Sequence, residues 1–173
     1  MREVFLGFAR QNGEANRTLL RILETLSEEE LNRSRGYYGS LLGSLRHILG
    51  AEHFFLSLFR QTLAKNGDAQ RILNFLDDAR QPDGLTLSEL KEPFARADDA
   101  LIVLLEELNN EDLKTPVKTE WYGGNPDIVP LFFMLQQLTS HGIHHRGQIS
   151  QVLDDLKVEN NYSALNVAFL TNC

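Results

Sequence analysis

Two histidines four residues apart, His141 and His145, stand in the segment Thr139-Ser140-His141-Gly142-Ile143-His144-His145-Arg146-Gly147-Gln148-Ile149. On a helix this spacing sends both rings off one face, one above the other. Met134 and Leu138 share that face upstream, and Ile149, Val152 and Leu156 continue it downstream. A third imidazole, His47, falls on the row Ser44, His47, Ala51, Phe54, Leu58 of an earlier helical segment. Three imidazoles converging in a helical core make a facial set of nitrogen ligands for a divalent metal, with other positions left for water. The alternative is three core histidines, each hydrogen-bonded to a backbone carbonyl, and spacing alone leaves both open. Burying an i,i+4 pair of polar rings without a shared purpose costs free energy, which weighs toward the metal.

The remaining titratable candidates sort by row. His53 shares a polar row with Arg46, Gly50, Ser57 and Arg60, and His144 shares one with Gln137, Ser140 and Gln151. Neither is expected to be a ligand; His53 should face solvent or a partner. Glu52, five residues from His47, interrupts an apolar row. It has three available roles: pairing with a core arginine, holding a ligand histidine, or serving as a catalytic base. A peptidase of the His-Glu-x-x-His class is disfavoured, because Gly142 and Ile143 stand where the glutamate would be. Arg146 and Gln148 are expected to orient neighbours or meet a partner helix rather than touch substrate.

The block His141-x-x-x-His145-Arg146-Gly147-Gln148-Ile149, with Leu45-x-His47-Ile48 and Glu52 upstream, resembles the DinB/YfiT-like family. The resemblance spans nearly the whole chain in helix order. It implies a four-helix bundle, damage- or stress-related expression, a homodimer, and three histidine ligands carried over to His47, His141 and His145. It also implies metal-dependent chemistry of thiol-transferase or hydrolase type, known for some members only. Zinc or nickel is the expected metal, with iron or manganese as other options.

Composition sets the outer bounds. The 173 residues suffice for one domain over 1–173 that buries about 70% of its unfolded surface. A net charge of −7 argues against a nucleic-acid binder. The single cysteine, Cys173, excludes an internal disulfide framework and fits a reducing cytoplasm. No signal peptide is visible, and no apolar run approaches a membrane span. Homodimerisation is also suggested by the small-residue row around Gly50 and Ser57.

Four amphipathic segments predict an all-α, up-down four-helix bundle with long connections after the second and third helices. The first helix is expected over Glu3 to Leu26, with Val4, Phe8, Ala15, Leu19, Ile22, Leu23 and Leu26 inward. Ser27 with Glu30 should cap a short turn, and Ser40 the second helix, which runs to about Leu63. Tyr37 and Tyr38 between them read as half-buried loop aromatics rather than parts of a pocket mouth. Residues 64–86 should cross one end of the bundle, with a short helix over Gln70 to Leu76 and a turn at Gln81 to Gly84. Thr86 and Glu89 cap the third helix, which ends near Leu108; Pro93 should kink it or mark its start, and Asp98 and Asp99 read as its solvated face. Lys114 to Asn125 reads as an irregular or hairpin-like connection, whose Trp121 and Tyr122 either wall a substrate pocket or plug the core. Asp127 should cap the last helix, which ends near Leu156; Tyr162, Leu165, Val167, Phe169 and Leu170 should dock the tail.

The functional expectation is a metal-dependent enzyme acting on a small molecule, without nucleic-acid or membrane partners. The other class is a non-catalytic, stress-related metal-binding or oligomeric module. A cleft lined only by apolar groups, with no carboxylate near the metal, would favour the second.

Overall fold

The computed structural model describes residues 1–120 and 126–161. They form six helices and one small hairpin: α1 Arg2–Leu23, α2 Glu28–Asn32, α3 Leu41–Thr62, α4 Gly67–Ile72, α5 Leu87–Glu107, β1 Pro116–Glu120, β2 Pro126–Pro130 and α6 Leu131–Asp155. The starts follow capping chemistry. Ser27 accepts from the Glu30 amide, Ser40 from the Gly43 amide and Asn66 from the Ala69 amide. Thr86 and Glu89 make a reciprocal capping box on α5. Pro93 lies inside α5, two turns past its start. Asp127 is not a cap. It pairs with Thr119 in the antiparallel hairpin, and α6 begins behind Pro130, where the Leu131 amide donates to the Thr115 carbonyl.

The four long helices enclose one core of leucine, isoleucine and phenylalanine, with α1 and α3 each packed on both α5 and α6. Their directions differ from simple alternation. The start of α1 meets the end of α5, where the Arg2 amide donates to Asn110 Oδ1 and its guanidinium to the Glu106 carbonyl; at the other end Glu24 pairs with Lys91. These two helices are antiparallel. Arg46 of α3 donates to the Leu85 carbonyl just before α5, and His53 feels Arg96 further along both, so α3 and α5 run the same way. Asn12 lies against Gly142 and Asn16 donates and accepts beside Arg146, so α1 and α6 also run together. The order is up-down-down-up. Parallel neighbours of about 30 Å need a connection that returns along their length, and residues 63–86 supply it. The link after α1, residues 24–40, is long as well.

The register of α1 also departs from expectation. Val4 is 57% and Phe8 42% exposed, while Leu6, Ala9, Asn12, Gly13, Asn16, Leu19, Leu20 and Leu23 face inward. The core face of α1 carries polar residues in its middle, so apolar periodicity points to the wrong row there. Those asparagines meet two more departures. Asp98, expected in solvent, is 2% exposed, and Glu52 is 5% exposed. The Asn12 amide donates to Glu52 Oε1 at 2.9 Å and Asp98 Oδ1 at 3.2 Å; Asn16 repeats both bonds at 2.9 and 3.1 Å. On their other side, Arg146 Nη1 donates to Asn12 Oδ1 at 2.9 Å and Asn16 Oδ1 at 2.7 Å. All four long helices thus meet in one buried polar network. Burial raises both carboxyls above their ordinary range: for Glu52 burial outweighs the asparagine bonds and Arg146, and for Asp98 the Glu52 charge adds to burial. Glu52 Oε2 is buried with no partner among the described residues.

Candidate metal centre

The structure brings His47 of α3 and His141 and His145 of α6 together, with one ring nitrogen from each inside a common 4.8 Å. His47 Nε2 and His141 Nε2 are 2.9 Å apart. Two nitrogens bound to one ion at about 2.0–2.1 Å stand roughly 2.9–3.4 Å apart for bond angles between a right angle and tetrahedral. The observed separation matches the right-angled end of that range, so this pair fits two adjacent positions on one ion, with the His145 nitrogen within 4.8 Å of both.

The surroundings hold these rings neutral and oriented. Burial lowers the affinity of all three for a proton, and the neighbouring His145 and His47 bring His141 down to about 4. A neutral imidazole is the metal-binding form. His145 Nδ1 lies 2.8 Å from Gln148 Oε1. The amide oxygen can only accept, so the proton sits on Nδ1 and the Nε2 lone pair is left for a ligand bond. The amide nitrogen of Gln148 in turn donates to His144 Nε2 at 3.1 Å. Gln148 therefore orients His145, one of the three clustered histidines, and His144 stands one bond further out, exposed on α6.

Tyr38 is a member of the site that its loop position concealed. Its ring stacks on His47 with centroids 3.8 Å apart and meets the edge of His145 at 5.3 Å. The loop is shaped to put it there. Gly36 and Gly39 flank the two tyrosines at φ +70 and +81, in the left-handed region, and a Cβ on Gly43 would lie 2.1 Å from the Tyr38 carbonyl oxygen. The clustered glycines were the available signal.

His53 does not face solvent. It is half-buried, its Nε2 has no partner among the described residues, and its ring meets Phe75 from the connection to α5. Glu52 is held by Asn12 and Asn16, with the Arg146 charge beyond them rather than paired to it directly, and none of its hydrogen bonds among the described residues reaches a histidine. Arg146 faces α1 rather than the cleft. Gly142 allows this: a Cβ there would lie 2.9 Å from both Arg146 Nη1 and Asn12 Oδ1.

His47 and His141 open onto a cleft of about 840 Å³ between α3 and α6. Phe54, Phe55 and Met134 give it apolar walls, and Arg46, Gln137 and His144 give polar ones. Gly50, one end of the small-residue row read as a subunit contact, lines the same cleft opposite Pro82. Trp121 and Tyr122, candidate pocket walls, and the tail with Cys173 lie outside the described residues. No helix among those described is long and apolar enough to cross a membrane.

The sequence pattern of the DinB family matches residues 1–160. No curated protein matches the chain.

Proposed function

The chain belongs to the DinB family, and from that premise we propose that it is a single four-helix-bundle domain holding one divalent ion on His47, His141 and His145. The observation that carries this is the 2.9 Å approach of two imidazole nitrogens with the third within 4.8 Å, beside an open cleft. Zinc or nickel suits three nitrogen donors, and iron or manganese is compatible. An ion on neutral imidazoles keeps its full charge and acidifies a water or thiol bound to it.

We further propose that the cleft takes a small molecule and that the protein is a metal-dependent enzyme of the cytoplasm. The chain's own residues favour transferase over hydrolase chemistry. Hydrolysis needs a base, and Glu52 is committed to the core network. His144 also lines the cleft, but its Nε2 lone pair is taken by the Gln148 amide, so its other ring nitrogen carries the proton and it offers no free base. Gln148 fixes the tautomer of His145, and Tyr38 covers one face of His47. Polar groups in the cleft weigh against a purely non-catalytic, stress-related module. A homodimer is proposed on the family premise, with the exposed Val4 and Phe8 of α1 as its contact in place of the Gly50 row; a monomer in sedimentation at tens of micromolar, roughly, removes it.

The test is metal stoichiometry of the five single His→Ala proteins, each checked for folding. Loss of metal in His47→Ala, His141→Ala and His145→Ala, with retention in His53→Ala and His144→Ala, is the expected pattern. Metal in all five, or none in the parent, removes the proposal.

A further inference from the structure

The arginines of this acidic protein are almost all answered by carboxylates. Arg2, Arg10, Arg17, Arg33, Arg60 and Arg80, for example, each have a carboxylate oxygen within 4.0 Å. Arg146 is held in the buried network. Arg46 is different. It lines the cleft beside His47, and no described carboxylate lies within ion-pair distance. Its Nε and Nη2 both donate to one backbone oxygen, that of Leu85, at 2.9 and 2.6 Å. A carbonyl fixes the guanidinium but does not neutralise it. The planar fork is thereby pre-set at low entropic cost, with Nη1 making no hydrogen bond among the described residues. Asp83 also lines the cleft, outside ion-pair range.

The second observation is charge. Three neutral imidazoles contribute none and Asp83 offsets the charge of Arg46, so a bound divalent ion would make the cleft cationic within a chain of net charge −7, with Arg46 its positive side chain free of an ion pair among the described residues. The third is apolar surface: Phe54 is 58% exposed and forms a wall with Phe55 and Met134. We infer that the ligand of this cleft is a small amphipathic oxyanion, with a carboxylate or equivalent group bound by Arg46 and an apolar body on Phe54, Phe55 and Met134. This rests on the small-molecule reading of the same cleft and adds its substrate class.

The test uses the full chain, metal-free and loaded with cobalt(II), with cobalt stoichiometry measured first. The probes are 3-phenylpropionate and its uncharged amide, titrated by calorimetry. The acid is expected to bind about tenfold or more tighter than the amide, as a charge-assisted contact requires, in both metal states. Arg46→Gln should bring the two probes within about twofold, Arg46→Lys should keep part of the preference, and Asp83→Asn should not reduce it. If Arg46→Gln does not fold, the parent's preference must still fall with added salt. Equal affinities in the parent, a preference that survives Arg46→Gln, or no binding of either probe up to ~10 mM overturns the inference. A preference confined to the cobalt form assigns the anion to the metal and overturns the role of Arg46. Absence of cobalt at the histidines, with the preference intact in the metal-free protein, overturns the metal reading alone.

Discussion

Replacing Arg146 by methionine and Asp98 by asparagine should move stability in opposite directions. Arg146 Nη1 donates to Asn12 and Asn16 at 2.9 and 2.7 Å, and its charge faces Glu52 and Asp98. Methionine fills similar volume but leaves two asparagine oxygens without that donor and two buried carboxyls without a cation. Removing one partner of a buried charged group costs about 3–5 kcal/mol, so Arg146→Met should lose roughly that at neutral pH. Asp98→Asn keeps an acceptor for the 3.2 and 3.1 Å bonds and loses the 3.3 Å contact of Asp98 Oδ2 with Asn16. It removes a carboxyl whose native affinity for a proton is raised by burial and by Glu52. A raised native pKa contributes stability that is full below the unfolded value and lost as pH rises through the native one. Each unit of elevation is worth about 1.4 kcal/mol. Asp98→Asn should therefore gain on the parent as pH rises from about 5 to about 8. The histidines lose stability in the opposite sense, as pH falls through their lowered native values, but they are common to both proteins and cancel in the difference. The assay is urea unfolding across that range. A loss below about 1 kcal/mol for Arg146→Met, or an Asp98→Asn advantage that shrinks with rising pH, would refute the account of the network.

Gly142→Ala should cost about 1–3 kcal/mol through overpacking, read in the same unfolding assay, because the new Cβ meets Arg146 Nη1 and Asn12 Oδ1 at 2.9 Å. Gln148→Leu should weaken metal binding by roughly 10–100-fold in competition with a chelator, since the 2.8 Å bond to His145 Nδ1 fixes that tautomer; unchanged affinity would show that the bond orients nothing. Tyr38→Ala should speed metal release to a chelator, because its ring stacks on His47; an unchanged rate would show that the stacking holds nothing in place. Metal retention should persist below the ordinary imidazole value of about 6.5 and fail only on further acidification, since burial lowers all three histidines and His141 lies at about 4; elemental analysis after dialysis across that range decides it.

The convergence of three histidines was legible because its signal is local: an i,i+4 pair on one helix and a third histidine on the apolar row of another. The helices were legible from caps, with Ser40, Thr86 and Glu89 doing what their spacing predicts. What was hidden depends on partners far apart in the chain. Asn12 and Asn16 break the apolar stripe of α1, so its core face reads as its outer face, and Val4 and Phe8 look inward. Asp98 beside Asp99 looks like a solvated pair until the buried asparagines and Arg146 supply its bonds. The parallel course of α3 and α5 is likewise set by what residues 63–86 must span, and no periodicity reports direction.

The network and the histidine cluster are adjacent on α6, since Arg146 follows His145 and Gly142 follows His141. This adjacency bears on how the cluster is held. Apolar packing fixes volume and face but tolerates small slides of one helix along another. A slide of α6 by one residue is about 1.5 Å, enough to lengthen a 2.7 Å bond from Arg146 to Asn16 beyond hydrogen-bonding range. That same slide would carry His141 and His145 past His47. The bonds that hold Arg146 to α1, and through its asparagines to Glu52 of α3, therefore fix the register on which the three nitrogens converge. Glu52 lies on the same helix as His47, so α3 and α6 are pinned to one another through α1. On this argument the polar core supports the metal geometry without touching the metal. Loss of Arg146 should then loosen metal binding even under conditions where the variant remains folded, a result that equilibrium dialysis below the unfolding transition can read directly.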